Sequence, residues 1–379
     1  MSTAAVPRAS REEKDRLLED FVRLCEIESP SRSERQCVDA VASELRGLGL
    51  QVEEDSTRSE TGSDAGNLIA RIPGAEGART IMLCAHLDTV PLEGPVEVAR
   101  ENGLLTNKHE AILGADNKAA VAVILGVARR LVTDGSPVGV ELVFTTCEEI
   151  GLRGAKAFDR GMLRSEYGFV FDHASPIGEL IVASPTYYRL NARFRGHAAH
   201  AGIRPEAGRN AIAAAARAIA RLELGRLDGE TTANVGTIKG GTAANVVAEH
   251  CTVELEARSI DHDRASSVVS HIVDAITEAA SDAECDVETT VEEMNRGYRM
   301  SRTSPPVAVT AAVLEALGFE PTYRSTGGCS DANIFVAAGL PCLNVANGTE
   351  RNHQPDESVT VEALETMLDV TLGIVAHSA

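Results

Sequence analysis

The chain is 379 residues long, with 44% hydrophobic and 24% charged residues and a formal net charge of −20. That length exceeds one ordinary core and predicts two domains, while the acidity argues against nucleic acid or an anionic membrane as a partner. The eight cysteines form no Cys-x-x-Cys pair and no stretch reads as a leader or a membrane span, so the expectation is reduced thiols in a cytoplasmic protein.

Ser10-Arg11-Glu12-Glu13 reads as a capping box ahead of a helix with Leu17, Leu18, Phe21, Val22 and Leu24 on one face. Ser31-Arg32-Ser33-Glu34 repeats the pattern and predicts a second helix through Val38, Val41 and Leu45, ended by Gly47 and Gly49. Strands are expected over 67–72 and 80–85, the latter delivering His86 and Asp88, two residues apart and so on one side of an extended chain. Gly114-Ala115-Asp116-Asn117-Lys118 opens an apolar helix over 119–131, where Asp116 alone would pass for an ordinary cap. A buried strand over 138–144 then runs into Glu148-Glu149, followed by a helix over 155–162 and a strand over 167–171 that ends at Asp172. Strands alternating with helices indicate a mostly parallel sheet flanked by helices, with functional groups at the carboxyl ends of the strands.

Near Pro185 the pattern changes. Residues 188–194 alternate polar and apolar side chains, as a half-exposed antiparallel strand does. Helices over 208–222 and 264–280, with strands over 233–238, 251–259 and 285–291, complete an α+β unit of two helices and four strands. Beyond Gly297 the α/β pattern resumes: a helix over 306–317, a glycine-rich turn over 327–333 into a helix over 334–338, a strand over 343–346 and a helix over 361–376. The expected domains are therefore 1–186 and 297–379 as two parts of one catalytic domain, with 187–296 inserted between them.

Two adjacent carboxylates at the end of a buried strand are costly unless a cation, a basic partner or a shared proton compensates. Taken singly, Glu148-Glu149 reads equally as a solvated loop, and His86 with Asp88 as a surface pair at a strand end. Together with Asp116, Asp172 and the loop containing His353, they form a recurring set of hard oxygen and imidazole donors. Such a set suits zinc, cobalt or manganese, and two ions bridged by one carboxylate would neutralise it.

His86-Leu87-Asp88-Thr89, Gly114-Ala115-Asp116-Asn117-Lys118, Glu148-Glu149-Ile150-Gly151, the Asp172 strand end, Ala199-His200-Ala201-Gly202 and His353 resemble, in that order, the dinuclear-metal exopeptidases. That family includes peptidase T, aminoacylase and the bacterial glutamate carboxypeptidases, and the likeness is greatest to peptidase T-like proteins. The resemblance implies a zinc-exopeptidase-like catalytic domain and an inserted lid that pairs with its twin in a homodimer. It implies that Asp116 bridges two divalent ions, most simply Zn2+ with Co2+ or Mn2+ as substitutes, that His86 and Asp172 complete one site, and that Glu149 and His353 complete the other. Glu148 is then the general base, and Asp88 orients the His86 ring. His200 resembles the lid histidine that stabilises the oxyanion in a neighbouring active site, and Asn245 and Arg258 resemble lid positions that hold the substrate. By themselves, Arg258 reads as a strand-edge residue and Asn245 as a turn residue.

Asn117 stands where many relatives carry a second Asp, and the loop 352–357 differs in detail from the peptidase T form. The implied activity is metal-dependent hydrolysis of short peptides from the amino terminus. A carboxypeptidase or deacylase for N-acyl amino acids is the hydrolytic alternative, and a metal-binding protein without catalysis the non-enzymatic one. His109, His173 and His197 are left as structural or solvated.

Overall fold

The computed structural model describes residues 6–379, which fall into two compact units. The first comprises the chain up to Val182, Met300–Ser325 and Ser330–Ala379. Four parallel strands form the centre of its main sheet, in the order Gly139–Thr145, Thr80–His86, Tyr167–His173 and Cys342–Ala346. Leu68–Ile72 pairs antiparallel on one flank and Glu179–Ser184 on the other. The register sets His86 beside Thr145, so both strands deliver their carboxyl ends to the same edge.

Parallel strands covered on both faces read as near-continuous apolar runs. Ile81 to Ala85 are accordingly all buried. The helix Ala115–Asp134 packs against Arg11–Cys25 and Val361–His377 and is buried on every side from Ala119 to Leu125. An all-apolar helix is the central helix of its layer. At Gly126 an added Cβ would lie 3.3 Å from Leu368, so glycine permits that close approach. Each fully buried Leu or Phe in this core contributes about 1.5–3 kcal/mol relative to exposure.

The capping box at Ser10 is present, with Ser10 and Glu13 exchanging both bonds. The expected one at Ser31 is not. The second helix spans Arg35–Gly47 with no side-chain cap, because Ser31 Oγ donates to Asp88 and the buried Glu34 carboxylate accepts from Ser63 and Cys147. The helix expected over 155–162 is instead two pieces, Arg153–Ala157 and a 3-10 turn at Arg160–Met162. Phe158 is extended, and the Asp159 side chain takes the Gly161 N–H at 2.8 Å, a local bond that competes with helix continuation.

A small antiparallel sheet was not anticipated. Its strands, Thr349–Glu350, Ser358–Thr360, Leu104–Asn107 and Val98–Glu101, are too short and mixed for periodicity to register. Thr349–Glu350 pairs with Ser358–Thr360, so residues 351–357 become a hairpin loop with pinned ends.

The second unit comprises Ala183–Arg299 and Thr326–Cys329. Its long antiparallel strands run in the order Thr231–Gly240, His250–Ser259, Thr186–Arg195 and Asp286–Asn295, with the two-residue Gly225–Arg226 at one edge. Helices Ala211–Arg221 and His262–Asp282 cover Leu190, Ala192, Phe194, Val253 and Leu255. The unit begins a few residues before the expected boundary and ends a few after it, and it claims part of the glycine-rich turn: Thr326 donates to the Ala183 carbonyl, and Gly328 accepts from Ser184. No helix among the described residues is long and apolar enough to cross a membrane, and all eight cysteines are free.

Candidate metal centre

Every parallel strand of the first unit leads into one cluster. His86 is the last residue of its strand, Asp172 the penultimate residue of Tyr167–His173, and Glu148-Glu149 follow the strand end Thr145 after Thr146 and Cys147. His353 sits in the pinned 351–357 loop beyond Cys342–Ala346, in a left-handed conformation with φ +67°. Asp116 follows Gly114, whose φ of +75° turns the chain into the central helix; the Asp116–Asn117 peptide is cis.

Asp116 lies at the middle of the cluster. One of its carboxylate oxygens is 3.2 Å from His86 Nε2 and the other 3.2 Å from His353 Nε2. His86 Nε2 is also 3.7 Å from Asp172, and His353 Nε2 is 2.9 Å from Glu149. Pairwise, His86 neighbours Asp116 and Asp172, and His353 neighbours Asp116 and Glu149; the groups whose donor atoms all lie within 4.8 Å of one another are His86, Glu148 and Asp172, and His86, Asp116 and Glu149. Glu148 also brings an oxygen within 4.8 Å of the His86 and Asp172 donor atoms. Hard carboxylate oxygens and imidazole nitrogens are the donor chemistry of zinc, cobalt and manganese, so the residues present fit divalent ions.

The charges are tightly packed. Burial pushes Asp116 upward, but hydrogen bonds from His353 and His86 outweigh it and hold its carboxyl below the usual range. Burial raises Glu149 to about 7 against the opposing pull of His353. Asp116 and then Glu149 lift His353 to about 10. Burial pulls His86 down, yet Asp116, Asp172 and Asp88 together carry it well above an ordinary histidine. Glu148 is raised well above the carboxylate range by burial and then by Asp172, and no hydrogen bond anchors its carboxyl among the described residues.

The turn carrying the two glutamates is held by side chains remote in sequence. Thr146 N–H donates to Asn67 (3.0 Å), Cys147 N–H to Glu34 (2.9 Å), Glu148 N–H to one Asp88 oxygen (2.9 Å) and Glu149 N–H to the other (3.1 Å). Cys147 and Leu152 have φ of +54° and +60°. Asp88 thus does more than face His86, whose Nδ1 lies nearer the Asp88 carbonyl (3.0 Å) than its carboxylate (3.5 Å).

Further buried groups support the cluster. Glu357 accepts from the main-chain N–H of Gly114 (2.7 Å) and Asp116 (2.9 Å). Asn344 accepts from Asp172 N–H (3.1 Å) and donates to its carbonyl (2.9 Å). Asp331 accepts from Thr145 Oγ at 2.5 Å, and Lys118 Nζ donates to the carbonyls of Leu24 and Ile27. Sequence reasoning missed these roles. A polar Asn344 inside an apolar strand and a lysine two residues beyond Asp116, at the head of an otherwise apolar helix, were the available signals.

The remaining candidate residues lie in the second unit. His200 is exposed, and its Nδ1 accepts from Gly202 N–H at 3.2 Å. It bridges to Val246, and Asn245 accepts from Ala201 N–H at 2.9 Å, so these two loops are adjacent. Arg258 forks onto Glu256 at 3.2 and 3.1 Å, donates to the Gly327 carbonyl at 2.9 Å and lies 4.1 Å over the Tyr187 ring. His109 faces Glu97 at the surface, His173 is half-buried with its basicity lowered by burial, and the His197 main chain pairs with Arg209.

Comparison with known proteins matches residues 186–284 to the M20 peptidase dimerisation domain and residues 67–183 to peptidase family M28. The uncharacterized protein YqjE of Bacillus subtilis (strain 168) is 35% identical over 365 residues, covering 96% of this chain and 98% of its own. Among solved structures, aminopeptidase PepT from Bacillus cereus is 35% identical with a TM-score of 0.90, and the match covers 96% of this chain and 98% of that one. A tripeptidase from Staphylococcus aureus is 30% identical with a TM-score of 0.92 over the same shares.

Proposed function

Because this chain belongs to the peptidase T-like branch of the M20 metallopeptidases, we propose that it is a dinuclear-metal aminopeptidase that removes the first residue from short peptides such as tripeptides. The observation that carries this reading is the division of Asp116 between two histidines, one oxygen to each at 3.2 Å. A carboxylate so shared is suited to bridge two ions.

In this reading His86 and Asp172 complete one site, and Glu149 and His353 the other. Zinc is the first choice, with cobalt or manganese as substitutes. When bound, the pair of ions supplies an activated water and polarises the peptide carbonyl. Glu148 takes the proton of the attacking water and returns it to the departing amine. Its unanchored carboxyl and raised basicity suit that exchange, whereas Glu149 is tied to His353. The Asp88 main-chain oxygen accepts a hydrogen bond from His86 Nδ1–H, which leaves Nε2 free to bind metal.

We further propose a homodimer built through the 186–284 domain, in which His200 donates to the oxyanion in the partner's site while Asn245 and Arg258 hold the substrate. Mixing inactive Glu148→Gln and His200→Ala chains should restore part of the activity; no recovery counts against the exchange. The acidic chain, its free cysteines and the lack of a membrane-length helix among the described residues support a cytoplasmic site of action.

The deciding experiment uses metal-stripped protein resupplied with zinc, cobalt or manganese, offered a tripeptide and its N-acetylated form. Metal-dependent cleavage of the free-amine peptide alone is expected. Cleavage of the blocked peptide would reassign the chain to carboxypeptidase or deacylase chemistry.

A further inference from the structure

The strand carrying Thr145 ends in a turn whose direction depends on Cys147. Its φ of +54° lies in the left-handed region, which a residue with a Cβ adopts only when its surroundings compensate. Glu34, wholly buried and more than a hundred residues earlier, supplies that compensation. One Glu34 oxygen accepts from Cys147 N–H at 2.9 Å and lies 3.2 Å from its sulfur, while the other accepts from Ser63 Oγ at 2.5 Å. The next two N–H groups go to Asp88. A right-handed Cys147 would break this run and swing Glu148 away.

We propose that Glu34 is a positioning residue for catalysis, which holds Cys147 left-handed and thereby aims the Glu148 carboxylate. The inference rests on the reading of Glu148 as general base. Glu34 touches neither the donor atoms nor the substrate, so its influence falls on proton transfer rather than on metal or substrate binding.

The test compares metal-loaded Glu34→Ala, Glu34→Gln and the double Glu34→Ala, Cys147→Gly with the parent chain. Four quantities are followed: kcat and KM on a tripeptide, bound metal per chain, and amide hydrogen exchange over residues 145–151. Glu34→Ala should lose about 10- to 100-fold in kcat, the range for partners that orient catalytic groups, with KM and metal content unchanged and faster exchange at Cys147 to Glu149. Glycine takes positive φ unaided, so the double variant should recover much of the lost kcat. Glu34→Gln keeps an oxygen for Cys147 N–H and should keep most of both kcat and protection, which preserves the test if the alanine chain does not fold. Undiminished kcat in Glu34→Ala, metal loss in step with kcat, no recovery in the double variant, or a Gln chain that loses kcat with protection intact would each overturn the proposal. Glu148→Gln separates the two readings. Turnover retained there refutes the base assignment and this proposal together, whereas turnover lost there but kept in Glu34→Ala refutes this proposal alone.

Discussion

Asp88 holds Glu148 by its main chain: one Asp88 carboxylate oxygen accepts the Glu148 N–H at 2.9 Å, and the other takes Glu149 N–H at 3.1 Å and Ser31 Oγ at 2.6 Å. Two carboxylates that repel one another are kept close by a bond that uses the Asp88 carboxylate but only the main chain of Glu148, which leaves the Glu148 carboxylate out of it. Asp88→Asn replaces one acceptor oxygen with a donor facing N–H or hydroxyl. Activity should fall by about 10- to 100-fold, with a lower melting temperature, as steady-state kinetics and calorimetry would record. Parent-like values for both would refute a supporting role for this carboxylate.

Geometry brings both Glu148 and Glu149 within reach of an ion, so substitution must tell base from ligand. Glu148→Gln should lose about 100- to 10,000-fold in kcat while still binding two metals per chain. Glu149→Gln should bind fewer, and Asp116→Ala should lose both. Metal analysis of the dialysed proteins decides, and a Glu148→Gln chain short of one ion would make Glu148 a ligand.

Glu357 is 1% exposed and is the acceptor for Gly114 and Asp116 N–H. Glu357→Ala leaves two buried donors without a partner, at about 1–3 kcal/mol each. Urea unfolding of the metal-free protein should register that loss, and metal affinity should weaken as Asp116 loosens. A stability change below about 0.5 kcal/mol would show that the bonds are dispensable.

Metal-free protein should become less stable as pH rises. Burial lifts Glu149, Glu357 and Asp331 to about 7, so the unfolded chain ionises these acids first and their contribution is lost from about pH 4 up through 7. His353, raised to about 10 by Asp116 and Glu149, stabilises the fold fully below its ordinary value of 6.5, and that contribution is lost as pH climbs through 10. Both trends run the same way. Melting temperature in chelator should therefore fall between about pH 5 and pH 8, and excess zinc, which replaces those protons, should raise it far more at the upper pH. A flat or rising profile in chelator would contradict this account of the charges.

The parallel strands and the central helix were legible because buried apolar runs announce themselves, and the acids at strand ends stood out against them. His86, Asp116, Glu149, Asp172 and His353, expected together from motif order rather than from periodicity, do lie in one cluster. Ser31 and Glu34 were misread because a Ser-x-x-Glu spacing looks the same whether it caps a helix or reaches across the fold to Asp88 and Cys147. Asn67, Asn344 and Glu357 act on groups far along the chain, and a single sequence carries no record of such partners. The short strands that pin the His353 loop escaped because two or three residues cannot display a period.

That pinned loop has a consequence for when the protein becomes active. His353 and Glu357 both come from it, and they act on Asp116 and Glu149, the bonds spanning 241 and 204 residues of chain to Asp116 N–H and Glu149 respectively. A polypeptide still emerging from the ribosome lacks this loop until residue 357 has been made. A chain cut short of that loop can form the early strands and helices yet has no complete centre.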